Sequence, residues 1–157
     1  MSVKPIPSGY RSVTPYLAVR QAAEAIEFYR RAFGAKERLR LGAPDGKLAH
    51  AELEIGDSVI MLADEVPDME FRGPASIGGT SVTLHLYVKD VDASFRKATD
   101  AGAKPMRAVQ DQFYGDRTGS VRDPFGHVWH IATHHEDVAP DELTRRAEAM
   151  FKRQAKG

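Results

Sequence analysis

The 157-residue chain contains no cysteine. That excludes disulfide staples, thiolate-ligated zinc, iron–sulfur clusters and thiol nucleophiles together. Six histidines and the carboxylates remain as the strong metal ligands. An excess of either charge is also missing, since 22 Lys plus Arg stand against 22 Asp plus Glu. Without a basic surplus, nucleic acid is not an expected partner. No uninterrupted apolar run approaches the roughly 20 residues needed to cross a bilayer, so a membrane is not an expected partner either. The start Ser2-Val3-Lys4-Pro5 lacks the apolar stretch of a signal peptide, and a cytoplasmic location is the expectation. There is no Gly-rich phosphate loop ahead of a helix, no His-Glu-x-x-His and no Gly-x-Ser-x-Gly. Nucleotide hydrolysis and serine hydrolase chemistry are therefore disfavoured.

What is present is a regular pattern of short elements, in a length that suits one domain or two half-domains sharing a core. Residues 1–12 carry two Pro and a Gly without periodicity and read as an extended lead-in. Pro15 to Val19 reads as a strand, and Ala22, Ala25, Ile26, Tyr29 and Phe33 follow at helical spacing up to Gly34. Three hairpin-linked strands then span Glu37–Leu41, Lys47–Ile55 and Val59–Ala63. This first unit occupies residues 13–64. The Gly- and Pro-rich stretch 65–81 reads as a linker, after which the order restarts. In the second unit, 82–135, Val82, Leu84, Leu86 and Val88 alternate with Thr83, His85 and Tyr87, and a helix runs from an Asp90 or Asp92 cap to Gly102. Leu17 to Arg20 matches Leu86 to Lys89 at an offset of 69 residues, and Val59, Leu62 and Ala63 match Val128, Ile131 and Ala132 at the same offset. The chain is thus two copies of a βαβββ unit. Residues 136–157 supply an amphipathic helix with Leu143, Ala147, Met150 and Phe151 on one stripe. Capping the protein's own sheet is its first reading, and docking on a second subunit is the other.

With Ala25-Ile26-Glu27-Phe28-Tyr29 ahead of Phe33-Gly34-Ala35, and Asp123-Pro124-Phe125-Gly126-His127 near the end, the two units resemble the vicinal oxygen chelate superfamily. That group contains glyoxalase I, extradiol dioxygenases, fosfomycin-resistance enzymes and bleomycin-binding proteins. The stretches Asp111 to Arg117 and Val121 to Trp129, with Ala132-Thr133-His134, look like its PhnB-like branch. The resemblance covers Val13 to His135. It implies an α+β fold in which two βαβββ repeats form a cup-shaped mixed sheet, the glyoxalase/bleomycin resistance fold, and a homodimer, because cups of this family are commonly completed across subunits.

Enzymes of the group hold a divalent metal in the cup from four positions, which fall here on Thr14, Met61, Thr83 and His130. The repeat spacing agrees with that placing, because 14 and 83, and 61 and 130, each differ by the same 69 residues. A threonine hydroxyl is a weak neutral ligand and a thioether is too soft for manganese, magnesium or iron(II). The expectation is therefore no metal and no cofactor.

Strand alternation places Tyr16, Ala18, Val59, Ala63, His85, Tyr87, Val128 and Ala132 in the cup, and buries Leu17, Val19, Ile60, Leu62, Trp129 and Ile131 beneath the helices, with Leu84 and Leu86. The predicted pocket is mainly apolar and aromatic. Candidate ligand contacts are Thr14, Tyr16, Met61, Thr83, His85, Tyr87, Tyr114, Arg117 and His130, with Gln110 and Gln112 near the mouth. His130 is also the candidate catalytic group, as an imidazole suited to acid–base work. Arg117 is read equally as the partner of a nearby carboxylate, and Asp123 to Gly126 as a hairpin turn with His127 structural. His50, Glu52 and Glu54 alternate on one strand and could serve a displaced metal, whereas the adjacent His134 and His135 point to opposite faces and make a poor chelate. The expected function is metal-independent binding of a small aromatic or amphipathic molecule. The alternative is a lyase, isomerase or dioxygenase-like enzyme with a non-standard metal site or His130 acid–base catalysis.

Overall fold

The computed structural model describes residues 2–157, so of the lead-in expected over 1–12 only Met1 lies outside the described residues. The first unit runs β1 (Tyr16–Val19), α1 (Ala22–Phe33), β2 (Lys36–Gly42), β3 (Leu48–Ile55) and β4 (Ser58–Asp64). A 3₁₀ turn (Pro67–Met69) and the one-turn helix α2 (Pro74–Ile77) follow. The second unit repeats the order as β5 (Thr83–Tyr87), α3 (Val91–Asp100), β6 (Lys104–Asp111), β7 (Asp116–Arg122) and β8 (Val128–His134). The chain closes with α4 (Pro140–Ala155). The sheets have orders β1-β4-β3-β2 and β5-β8-β7-β6, and in each the first strand is parallel to its neighbour while the rest are antiparallel. The α+β architecture with a repeated βαβββ unit is as the sequence implies.

Helix α1 starts on Gln21, whose left-handed backbone brings no side-chain cap. The cap comes instead from β4, where the Asp64 carboxylate accepts from the Ala22 N–H at 2.9 Å and from the Leu48 N–H at 2.7 Å. One acid therefore ties the helix start to two strands. The helix stops at Gly34 in the left-handed region, where its N–H bonds back to Arg30. Its Ala22, Ala25, Ile26, Phe28, Tyr29 and Ala32 face is buried. Helix α3 takes its cap from Asp90, which accepts from the Ala93 N–H at 3.0 Å. The two helices pack on the backs of their own sheets and against each other. Leu17, Val19, Ile60, Leu62, Trp129 and Ile131 are buried there, and Leu84 and Leu86 pack partly buried on the same cluster.

Two long-range contacts lock the units together. The buried Asp123 accepts from the Tyr29 hydroxyl at 2.5 Å and from Trp129 Nε1 at 2.9 Å, joining α1 to β8. The His127 ring bonds through Nε2 to the Ala18 carbonyl at 3.0 Å. The stretch 65–81 is not a free tether. Glu65 accepts from Arg20, Ser76 and the Gly73 N–H, and Gly73 runs so close to β1 that a Cβ there would lie 3.0 Å from the Ala18 carbonyl oxygen.

Helix α4 is amphipathic as expected but does not cap the protein's own sheet. None of its residues is buried and Phe151 is 59% exposed. Arg146 ties it to the preceding chain, donating to the Phe113 carbonyl and pairing with Glu136, and pairs within the helix with Glu142. No helix among the described residues is long and apolar enough to cross a membrane.

Candidate small-molecule site

Each sheet packs one face under its helix, and most of the candidate residues lie on the other face. Register places them in matching rows, Tyr16 beside Met61 beside Glu52 in the first unit and His85 beside His130 beside Ser120 in the second. The row symmetry is that of the repeat, but the side chains differ. The first face carries a phenol, a thioether and a carboxylate, and the second carries two imidazoles and a hydroxyl.

The nine candidate contacts do not converge on one pocket. Tyr114 and His130 line a hollow of about 190 Å³ with Arg107, Gln110, Gln112 and Ser120. His85 stands next to it, its ring centroid 6.0 Å from that of His130 and 4.8 Å from that of Tyr87. Burial, then the neighbouring His85 and Arg107, hold the His130 imidazole below its usual range, so it is neutral at pH 7. Tyr16 lines a separate, more apolar cavity of about 410 Å³ beside Phe71, Ile77, Val82 and Leu84. Thr14 precedes β1, donates to the Arg11 carbonyl at 3.5 Å, and lines a third hollow with His85. Met61 is half-buried on the first face and Thr83 is exposed.

Arg117 lies on the opposite face from the cup. Its guanidinium forks onto Asp92 of α3 at 2.9 and 3.0 Å and reaches Asp111 at 3.2 Å. Both partners hold it above its already high range. It is thus the carboxylate-paired arginine of the two sequence readings. Tyr87 donates to the buried Asp116 at 3.0 Å, and Asp116 in turn bonds His134 Nδ1 at 2.6 Å. His134 Nε2 meets Asp137 at 2.8 Å, so the two carboxylates raise the imidazole above its usual range. The residues that sequence reading missed are Arg107, Thr118 and Ser120. The signal for Ser120 was the repeat, because it occupies the place of Glu52; no such signal marks Arg107, because β6 shifts register on either side of it.

The sequence profile of the Glyoxalase/Bleomycin resistance protein/Dioxygenase superfamily matches residues 11–131. The chain belongs to this superfamily. An uncharacterized protein of Mycobacterium bovis is 48% identical to it over 135 residues, covering 84% of this chain and 89% of that one. Among solved structures, TioX from Micromonospora has the same fold with TM-score 0.62 and 28% identity, covering 82% of this chain and all (100%) of the other. So does a variant of the fosfomycin resistance protein FosX from Listeria monocytogenes, solved with Mn(II) and a dihydroxypropylphosphonic acid. There the TM-score is 0.60 and the identity 15%, over 84% of this chain and 94% of that one.

Superfamily metal sites need hard or imidazole ligands converging from both units, and the residues here do not fit. The four positions offer two hydroxyls, a thioether and one imidazole, and Thr14 and Thr83 stand outside the hollow that holds His130. Among the described residues no three His, Asp or Glu side chains are placed so that they could hold one metal ion.

Proposed function

We propose that this superfamily member is a metal-independent small-molecule binding protein of the glyoxalase/bleomycin-resistance type, in the PhnB-like branch, acting as a cytoplasmic homodimer. The observation that carries the reading is the hollow on the second unit's free face, where a neutral His130 shares the wall with Arg107, two amides, a phenol and two hydroxyls. That set recognises a compact oxygen-bearing head group, such as a carboxylate, carbonyl or phosphonate, with donors on several sides. The hollow is more polar than the apolar and aromatic pocket expected from strand alternation, because Arg107, Thr118 and Ser120 join it. The exposed Tyr87 supplies an aromatic surface at its edge. The exposed Phe151 on α4, beside the partly buried Leu143, Ala147 and Met150, supports a second copy as the occupant of that stripe.

Titrating benzoate and phenylphosphonate in the presence of EDTA, with the histidine side-chain resonances recorded by NMR, tests the binding reading. The expected result is a saturable shift at His130, abolished in His130→Ala. Binding that appears only after zinc, manganese, nickel or iron(II) is added, with near-stoichiometric metal lost in His130→Ala, refutes it in favour of a metal-dependent lyase, isomerase or dioxygenase. Sedimentation of the intact chain as a monomer at micromolar concentration removes the homodimer.

A further inference from the structure

The first unit holds a second constellation, independent of the His130 hollow. On the free face of its sheet, Tyr16 Oη lies 2.6 Å from His50 Nδ1, and His50 Nε2 lies 3.0 Å from Glu52 Oε1. The other Glu52 oxygen accepts a hydrogen bond from Tyr10. Glu52 is 7% exposed, His50 is half-buried and Tyr16 is 45% exposed, so the three groups run from interior to surface. Strand geometry explains the alignment. His50 and Glu52 are two apart on β3 and share a face, and Glu52 lies beside Met61, which lies beside Tyr16.

The hydrogen-bond roles follow from donor chemistry. A carboxylate only accepts, so His50 Nε2 carries the proton. In the neutral imidazole Nδ1 is then a lone pair, and the Tyr16 hydroxyl donates to it. The Tyr10 bond, followed by the His50 bond, holds Glu52 below its usual range and ionised. Burial and the nearby Glu52 charge raise Tyr16, so its phenol keeps its proton at neutral pH and needs a base to give it up.

We infer that Glu52, His50 and Tyr16 form a base-activated nucleophile, with Tyr16 Oη attacking the acyl carbon of a largely apolar small molecule held in the adjoining cavity. The cavity shares Tyr16 in its wall with Phe71, Ile77, Val82 and Leu84 on its apolar side and Glu70, Arg72, Thr80 and His127 on its polar side, and the Phe71 ring stands edge-on to Tyr16 at 5.2 Å. In the step, the Tyr16 oxygen–carbon bond forms and the bond to the leaving group breaks. The phenolic proton passes to His50 Nδ1, and Glu52 holds the resulting imidazolium. His50 then returns the proton to the leaving group, and the product is an acyl-tyrosine. A purely structural role for the cluster leaves unexplained why an exposed phenol is backed by a buried carboxylate through an imidazole that uses both nitrogens.

The test needs no knowledge of the natural substrate. An aryl sulfonyl fluoride reports the same proton transfer, forming an S–O bond to tyrosine with loss of fluoride, and p-nitrophenyl acetate reports acylation through a burst of nitrophenolate. Peptide mass spectrometry of the labelled intact protein should place the sulfonyl group on Tyr16 at least about tenfold faster than on the exposed Tyr87 and Tyr114. Glu52→Gln and His50→Phe should each lower the Tyr16 rate by about tenfold or more, and Tyr16→Phe should abolish the burst. Circular dichroism melting identifies any variant that fails to fold, and Glu52→Gln, nearly isosteric, stands if His50→Phe does not. Labelling spread evenly over the three tyrosines, or a Tyr16 rate unchanged in Glu52→Gln, overturns the inference and leaves the His130 binding reading untouched.

Discussion

Replacing Asp123 by Ala is expected to be among the most damaging single changes in this chain. The carboxylate is 3% exposed and accepts four hydrogen bonds. Two come from the Phe125 and His127 N–H groups of the β7–β8 turn, and two from Tyr29 on α1 and Trp129 Nε1 on β8. A hydrogen bond to a charged acceptor contributes about 1.5–3 kcal/mol, and a stranded buried donor costs about 1–3 kcal/mol. Tyr29 is fully buried and Trp129 nearly so, and neither can turn to water. Removing the carboxylate also removes its own desolvation cost, so the net loss falls below the sum of four bonds. We expect about 4 kcal/mol for Asp123→Ala, a large part of the ~5–15 kcal/mol that holds a domain together. Asp123→Asn keeps the acceptor for the two turn amides but faces Trp129 with a second donor, and should lose about 2 kcal/mol. Tyr29→Phe removes one charge-assisted bond and should lose about 1.5–3 kcal/mol. The assay is equilibrium urea unfolding followed by tryptophan fluorescence, reading the midpoint at constant slope. A loss under about 1 kcal/mol for Asp123→Ala would refute the tether, because an acid stapling helix to sheet cannot be that cheap to delete.

Other expected outcomes are open to direct measurement. His134, raised by Asp116 and then Asp137, contributes stability that is complete below its unfolded value of about 6.5 and is lost as pH rises through its folded value. His130, lowered by burial and then His85, has the opposite sign: its contribution is complete above about 6.5 and is lost as pH falls through its folded value. Imidazole NMR titrations should place the two on either side of 6.5, and finding both on the same side contradicts the assignment. Gly115→Ala should cost at least about 2 kcal/mol, since its φ is +98° and a Cβ would sit 2.2 Å from the Glu136 carbonyl oxygen; a melting point unchanged from the parent would show that the turn relaxes freely. Deleting residues 140–157 should leave the melting of the core nearly unchanged, because α4 has no buried residue, while a collapse of the fold would show that the Arg146 anchor carries it.

Much of the fold was legible in the sequence because local periodicity and turn chemistry are encoded within a few residues. The alternation around Leu84 and Leu86 and the 22–33 helical stripe ending at Gly34 follow from neighbours in the chain, and the 69-residue repeat from comparing two such local patterns. The resemblance to the superfamily then implied the cup and its four positions, and with them the expectation that Thr14, Met61 and Thr83 suit a metal poorly. Partners distant in sequence were not legible. Tyr29 meets Asp123 across 94 residues, Tyr16 meets His50 across 34, and Arg117 turns to Asp92 of α3 instead of the cup. Strand parity tells which face a side chain leaves from, whereas register, bulges and the approach of another element decide what it touches. Arg107 shows the limit from the other side: the register shifts flanking it on β6 hide its face from any period-of-two reading, so the tertiary structure alone placed its guanidinium beside His130.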